Sequence, residues 1–164
     1  MSEEIKLNSA EEMATIILDK FERRTTEDGK DKLTLVRTAP RRIWMRADRS
    51  ILFDLCRYLN DTMQFEHASS VAGVDWVTHM QVVYHLSNYN TGTIIEIVVD
   101  VPNDDLCIDS VAGIWEGANW HERETYELFG IVFKGHPNLK RLLTPEDYEF
   151  FPFRKSYKLR RQEQ

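Results

Sequence analysis

The sequence predicts an α+β fold: a two-layer sandwich with helices on one face of a mixed or antiparallel sheet, plus an extended C-terminal arm. Three observations carry this. Two stretches near the N-terminus repeat their apolar residues at helical spacing, three β-rich runs fill the middle, and a long apolar C-terminal stretch is interrupted by Pro145 and Pro152. A chain of 164 residues with 42% hydrophobic content can bury a core and suits one domain. The expected boundaries are 1–130 for the compact α/β domain and 131–164 for the arm.

Ser9 and Glu12 form a capping box, and Met13, Ile16, Ile17 and Phe21 follow at helical spacing, which predicts an amphipathic helix. Thr25 to Lys30, with Asp28-Gly29, ends it. Leu33 to Arg37 and Arg41 to Arg46 read as short strands turned by Ala39-Pro40. Asp48 is placed to cap a second helix with the apolar stripe Ile51, Leu52, Leu55, Cys56 and Leu59. His67 to Trp76, Met80 to Ser87 and Thr93 to Val101 are strands, the last two joined by a hairpin loop over 88–92. In the third, Ile95, Ile97 and Val99 share one face, while Ile94, Glu96, Val98 and Asp100 share a wetter one.

After Pro102 the character changes. Ser110 to Trp115 suits a helical turn, and Asn119 is the expected cap of a helix ending at Phe129, with Gly130 as its stop. Glu122 and Glu124 would complement the helix dipole, and Arg123 would pair with Glu127 four residues on. Such a pair is worth only about 0.2–0.5 kcal/mol, too little to account for this density of charge. Beyond Gly130, a short Ile131-Val132-Phe133 run and a Gly135-His136-Pro137 turn lead into Leu139, Leu142, Leu143, Tyr148, Phe150, Phe151 and Phe153. So apolar a segment, broken by prolines, is expected to lie extended over a surface. Ordering it costs about 1–2 kcal/mol per residue, which aromatic anchors and arginine pairs must offset.

Net charge of -6 argues against obligate nucleic-acid binding, although Arg154, Lys155, Lys158, Arg160 and Arg161 face only Glu163 after Pro152. Cys56 and Cys107 are far apart and read as free thiols, short of the four thiolates an iron–sulfur cluster takes. No apolar run is long enough to span a bilayer, and Met1 to Lys6 is too acidic for a leader, so a soluble or membrane-peripheral protein in a reducing compartment is expected.

Chemistry by this chain alone finds little support in its motifs. His121-Glu122-Arg123-Glu124 begins like the zincin motif, yet Thr125 stands where the second histidine is needed. His136 lies between Gly135 and Pro137 with no cysteine or histidine beside it, which favours a structural hydrogen bond. Asp75, next to Trp76, suits a turn cap or a buried ion pair better than a general base. Phosphate loops, nucleophile elbows and dinucleotide fingerprints are missing from the sequence. No catalytic, cofactor-binding or metal-ligating residue is expected. A small enzyme using Asp75, His85 and His136 together, or a stand-alone module binding RNA or anionic lipid through Arg154 to Arg161, are the competing readings.

The stretch from Ser110 to Tyr157 concentrates aromatics, acids and bases as a contact surface does. Trp120-His121-Glu122-Arg123-Glu124, Tyr126, Leu128-Phe129-Gly130, Gly135-His136-Pro137, Leu139, Arg141 and Pro152-Phe153-Arg154-Lys155 occur in order, preceded by Val71-Ala72-Gly73-Val74-Asp75 and Val83-Tyr84-His85-Leu86. This pattern resembles the 30-kDa subunit family of respiratory complex I, also called its C subunit. The resemblance implies an α/β scaffold without its own cofactor in the hydrophilic arm of the complex. Its C-terminal extension would embrace the 49-kDa-like D subunit, with the B and I subunits nearby, and iron–sulfur clusters and flavin would reside on partner subunits. The residues implied in that contact are Trp120, Glu122, Arg123, Glu124, Tyr126, Phe129, Gly130, Gly135, His136, Pro137, Arg141, Arg154 and Lys155. Such a protein would sit peripherally on the cytoplasmic side of the cell membrane, associated with it through the complex.

The chain departs from the family pattern at Glu127, where Asp is more usual, at Phe150-Phe151, where a Gly-containing turn is usual, and at Ser156 and Lys158, where Asp and Pro commonly follow. The altered ending leans toward an archaeal assembly that oxidises reduced coenzyme F-420 and reduces methanophenazine. A quinone reductase fed by NADH or ferredoxin, or an energy-converting hydrogenase, is the alternative.

Overall fold

The computed structural model describes residues 9–21, 29 and 31–159. The expected break over 25–30 and the tail cations Arg160 and Arg161 fall wholly or largely outside these residues.

Local signals set the first elements. Ser9 Oγ accepts the Glu12 N–H at 3.2 Å and Glu12 Oε2 accepts the Ser9 N–H at 3.0 Å, a reciprocal cap that starts α1 (Ala10–Phe21). Met13, Ala14, Ile17 and Phe21 form its buried stripe, while Ile16 is exposed. Strands β1 (Leu33–Ala39) and β2 (Arg42–Ala47) make an antiparallel hairpin. Asp48 then accepts the Ser50 N–H at 2.9 Å and caps a 3-10 turn, Arg49–Ile51, that runs into α2 (Leu52–Asp61). Ile51, Leu52, Leu55, Cys56 and Leu59 are all buried, as their spacing predicts.

Strands β3 (His67–Asp75), β4 (His79–Asn88) and β5 (Thr93–Pro102) complete a five-stranded sheet of order β1-β2-β5-β4-β3. Only the β2–β5 pairing is parallel, so the sheet is mixed. Alternation along β5 puts Ile95, Ile97 and Val99 in the core beside Ile43, Met45, Val82, Tyr84 and Leu86. The opposite face is polar. Arg46 and Gln81 both bind Asp100, His85 meets Glu96 at 3.2 Å, and the Arg37 guanidinium lies 3.9 Å from the Trp44 ring centre. One apolar face and one wet face explain why the helices gather on a single side.

A second, two-stranded parallel sheet joins β6 (Cys107–Asp109) to β7 (Val132–Lys134), with α3 (Ala118–Phe129) between them in sequence. Ile131 and Phe133 are thereby buried, and among the described residues no helix or strand follows Lys134, where the chain runs on through turns and bends. Both cysteines are free, Cys56 buried and Cys107 half-buried. Among the described residues, no helix is long and apolar enough to cross a membrane.

Candidate partner interface

Helix α3 is the platform on which the arm is built. It begins at Ala118 with Gly117 before it, so Asn119 lies inside the first turn instead of capping it. The asparagine's main chain has another use: His136 Nδ1 accepts the Asn138 N–H at 3.0 Å, which leaves the Nε2 proton to donate to the Asn119 carbonyl at 3.2 Å. Gly130 stops the helix in the left-handed conformation, φ 78°, and its N–H returns to the Tyr126 carbonyl at 2.8 Å. A Cβ there would also stand 2.9 Å from the Phe151 ring and closer still to Arg154, so the arm's path requires glycine twice over.

Two carboxylates on α3 hold two loops. Glu122, fully buried, accepts from the Ser110 hydroxyl at 2.5 Å and the Val111 N–H at 2.7 Å, tying the turn before α3 to the helix. It therefore serves a loop and not the helix dipole. Burial pushes its carboxyl up to about 7, against the lowering effect of those donors. His136 Nε2 lies 3.9 Å from Glu122 Oε2, and burial holds the imidazole below its ordinary value, assisted by the nearby Arg123 charge and opposed by the Asn119 carbonyl.

Glu127, also fully buried, accepts three main-chain N–H groups: Leu142 at 2.5 Å, Leu143 at 2.8 Å and Thr144 at 2.5 Å. Burial raises this carboxyl, but the Leu143, Thr144 and Leu142 donors outweigh it and keep the group below the usual glutamate value. The expected Arg123–Glu127 pair is replaced by something longer in range. Arg123 donates to the carbonyls of Lys140 and Arg141 at 3.0 and 3.2 Å, because the arm crosses the helix there and leaves carbonyls facing it.

Farther along, the Arg141 guanidinium donates to Thr144 Oγ1 at 3.0 Å and the Phe150 carbonyl at 3.3 Å, and lies 5.6 Å from the Tyr148 ring centre. Arg154 donates to the Phe129 carbonyl at 2.6 Å and stacks 4.3 Å from Phe151. The Phe153 ring meets Phe129 edge-on at 5.8 Å, and Phe129 fits against Gly73 on β3. At the end, Asp75 accepts the Val77 N–H at 2.6 Å and the Lys155 N–H at 2.8 Å. It is a turn cap that also clasps the arm. Burial raises its carboxyl and the two N–H groups, with Lys155 and Arg154 nearby, bring it below normal.

The residues singled out from the sequence thus separate into two groups. Glu122, Arg123, Tyr126, Phe129, Gly130, His136, Arg141 and Arg154 are buried or half-buried and engaged within the chain; Trp120, Glu124, Gly135, Pro137 and Lys155 face outward. Leu143, Phe150, Phe153 and Leu159 join the outward group. Glu127 is a buried clasp on the arm that sequence reasoning misses, although an acid between Tyr126 and Leu128-Phe129 is a signal of burial. Asp75, His85 and His136 do not converge: each has its own partner, on the β3 turn, the wet sheet face and α3 respectively. Among the described residues no three His, Cys, Asp or Glu side chains are grouped to share a metal ion.

The family model described as the 30-kDa subunit of respiratory-chain NADH dehydrogenase matches residues 45–163. The C subunit of the F(420)H(2) dehydrogenase of Methanosarcina mazei is 40% identical over 122 residues, covering 73% of this chain and 77% of its own. The C subunit of the NADH-quinone oxidoreductase of a Roseiflexus species is 38% identical over 122 residues, covering 71% and 69%. Among solved structures, a trypsin-resistant fragment of Nqo5 superposes with a TM-score of 0.63 at 26% identity, covering 77% of this chain and 98% of the fragment. A chain of an archaeal membrane-bound sulfane sulfur reductase shares the fold, with a TM-score of 0.76 at 24% identity over 91% of this chain and 85% of that one.

Proposed function

The chain belongs to the respiratory-chain NADH dehydrogenase 30-kDa subunit family, and on that premise we propose that it is a non-catalytic assembly subunit in the hydrophilic arm of a membrane-bound, ion-translocating oxidoreductase. The complex oxidises reduced coenzyme F-420 and delivers electrons to methanophenazine, a reading supported by the 40% identity to the Methanosarcina mazei protein. The 49-kDa-like D subunit is the main partner, with the B and I subunits alongside. Iron–sulfur clusters and flavin belong to those partners, and the protein lies on the cytoplasmic side of the membrane.

One observation carries the scaffold reading: Glu127, Asp75, Arg123, Arg141 and Arg154 all direct their charged groups at main-chain groups of the arm or its neighbours. The ordering cost of the arm is thus met inside the chain, so a partner meets a preformed surface. Direct contact falls to Trp120, Glu124, Gly135, Pro137 and Lys155, with Leu143, Phe150, Phe153 and Leu159 as apolar anchors. Glu122, Arg123, Tyr126, Phe129, Gly130, His136, Arg141 and Arg154 shape that surface from beneath.

The identity to NADH-quinone oxidoreductase relatives, 38% for the Roseiflexus protein, favours a second reading with a different electron donor and acceptor in the same role. Purification from native membranes in mild detergent, through a tag at Met1, tests both. Co-elution with partners resembling the B, D and I subunits, together with iron and flavin, is expected, and the input subunit recovered identifies the donor. Recovery of the chain alone, or bound to RNA, would overturn the proposal.

A further inference from the structure

The turn between β3 and β4 holds a strained residue at an exposed position. Val77 has φ 70°, a left-handed conformation that β-branched residues resist, and at 64% exposure it gains little from packing. Glycine would take this turn without strain. Instead the surroundings impose it. Asp75 accepts the Val77 N–H at 2.6 Å, Asn103 Nδ2 donates to the Val77 carbonyl at 2.8 Å, and the Trp76 main-chain N–H donates to the His79 carbonyl at 3.0 Å. Strain that is held so firmly at an exposed position points to a use for the side chain presented there.

Trp76, beside it, is 53% exposed, yet its indole N–H is already satisfied by Gln81 Oε1 at 3.1 Å. What it offers outward is its apolar ring. The Lys155 ammonium lies 5.8 Å from that ring, and Arg154 and Lys155, with the Asp75 carboxyl between the turn and the arm, line an open cleft of about 180 Å³ together with Val77 and Asn103. Cations thus edge the turn on a chain of net charge -6.

We propose that the Trp76–Val77 turn is a preformed knob that enters an apolar pocket edged by carboxylates on a neighbouring protein of the assembly. Protein is favoured over nucleic acid because a branched aliphatic side chain offers nothing to a base or a phosphate, whereas it fits an apolar pocket. Charge complementarity sets the orientation: partner carboxylates are drawn to the exposed Lys155 and repelled by the acidic remainder. The knob rests on the assembly-subunit reading, to which it adds a contact outside the arm.

The test strips the native copy of this chain from the isolated membrane assembly and titrates back the full-length chain and its Trp76→Ala and Val77→Gly variants. Trp76→Ala is expected to bind at least about tenfold more weakly. Val77→Gly is expected to bind more weakly as well, while the Tm of the free chain rises by about 2–4 °C as strain is relieved. A purely structural residue would not move the two readouts in opposite directions. If wild type binds and both variants bind equally well, the knob is wrong and the assembly reading stands; if wild type fails to bind, both fall. Adsorption of the free chain to phosphatidylserine vesicles that is lost in Trp76→Ala, with assembly binding unchanged, would replace the protein partner by a membrane surface.

Discussion

Glu122 and Glu127 lie five residues apart on one helix, are equally sealed from solvent, and both hold a loop by accepting hydrogen bonds, yet their ionisation is opposite. Glu122 is lifted to about 7 by burial; Glu127 stays below the ordinary range because three N–H groups converge on it. The surroundings follow the same division. Glu122 faces the core, with Cys56 and Tyr84 close enough for its charge to raise both of them further, and with the His136 imidazole that burial holds below its ordinary value. Glu127 faces a loop whose successive amides form a nest for an anion. Exposure alone therefore says little about a buried carboxyl's charge; the donors directed at it decide.

The largest way to break this comparison is to remove the nested carboxylate. Glu127→Ala leaves the Leu142, Leu143 and Thr144 amides without their acceptor, for a loss of about 1–3 kcal/mol for each amide that stays sealed from water. Hydrogen exchange should show residues 139–159 opening while amides of the central strands β4 and β5 keep their protection. Equal loss of protection in the sheet would mean that the arm and the domain fold as one unit.

Glu122 is expected to act through pH. Its folded value, about 7, lies above the ordinary 4.5, so the folded state holds the extra proton between them. Stability is then full below about pH 4.5 and declines as pH rises to about 7, by on the order of 3 kcal/mol from this group. Denaturant titrations of Glu122→Gln should be flatter across that window than those of the wild type; parallel curves would refute the assignment. Glu127 carries the opposite sign. Its contribution is present above the ordinary glutamate value and disappears as pH falls through its lowered one.

A smaller effect is expected at Asp75, which resembles Glu127 in chemistry but binds only two amides. Asp75→Asn should cost about 1–2 kcal/mol and speed proteolysis near Lys155 more than near Leu143. Faster cleavage at Leu143 would show that the two clasps open together.

Much of the domain is legible in the sequence. The Ser9–Glu12 box, the stripe from Ile51 to Leu59, the alternation in β5 and the stop at Gly130 each reflect a period or cap confined to a few residues. The fold departs from expectation where a local partner is available and a distant one is used. Asn119 is the better capping residue, but the chain enters the helix through Gly117 and uses the Asn119 carbonyl for His136. Arg123 and Glu127 have the right spacing to pair, and the arm lying across the helix satisfies each of them separately.

By itself, the sequence determined the order and type of the main elements, the face each buries, and the family to which the chain belongs, because periodicity, caps and motif order are written in neighbouring residues. Tertiary structure alone decided which charged residues became internal clasps and which outward surface. Asp75 finds Lys155 eighty positions away, and Glu127 finds a loop that approaches only after β7 has joined β6. Hydrogen bonds act over about 3 Å, whatever the separation along the chain, so such partners exist only once the fold has brought them together.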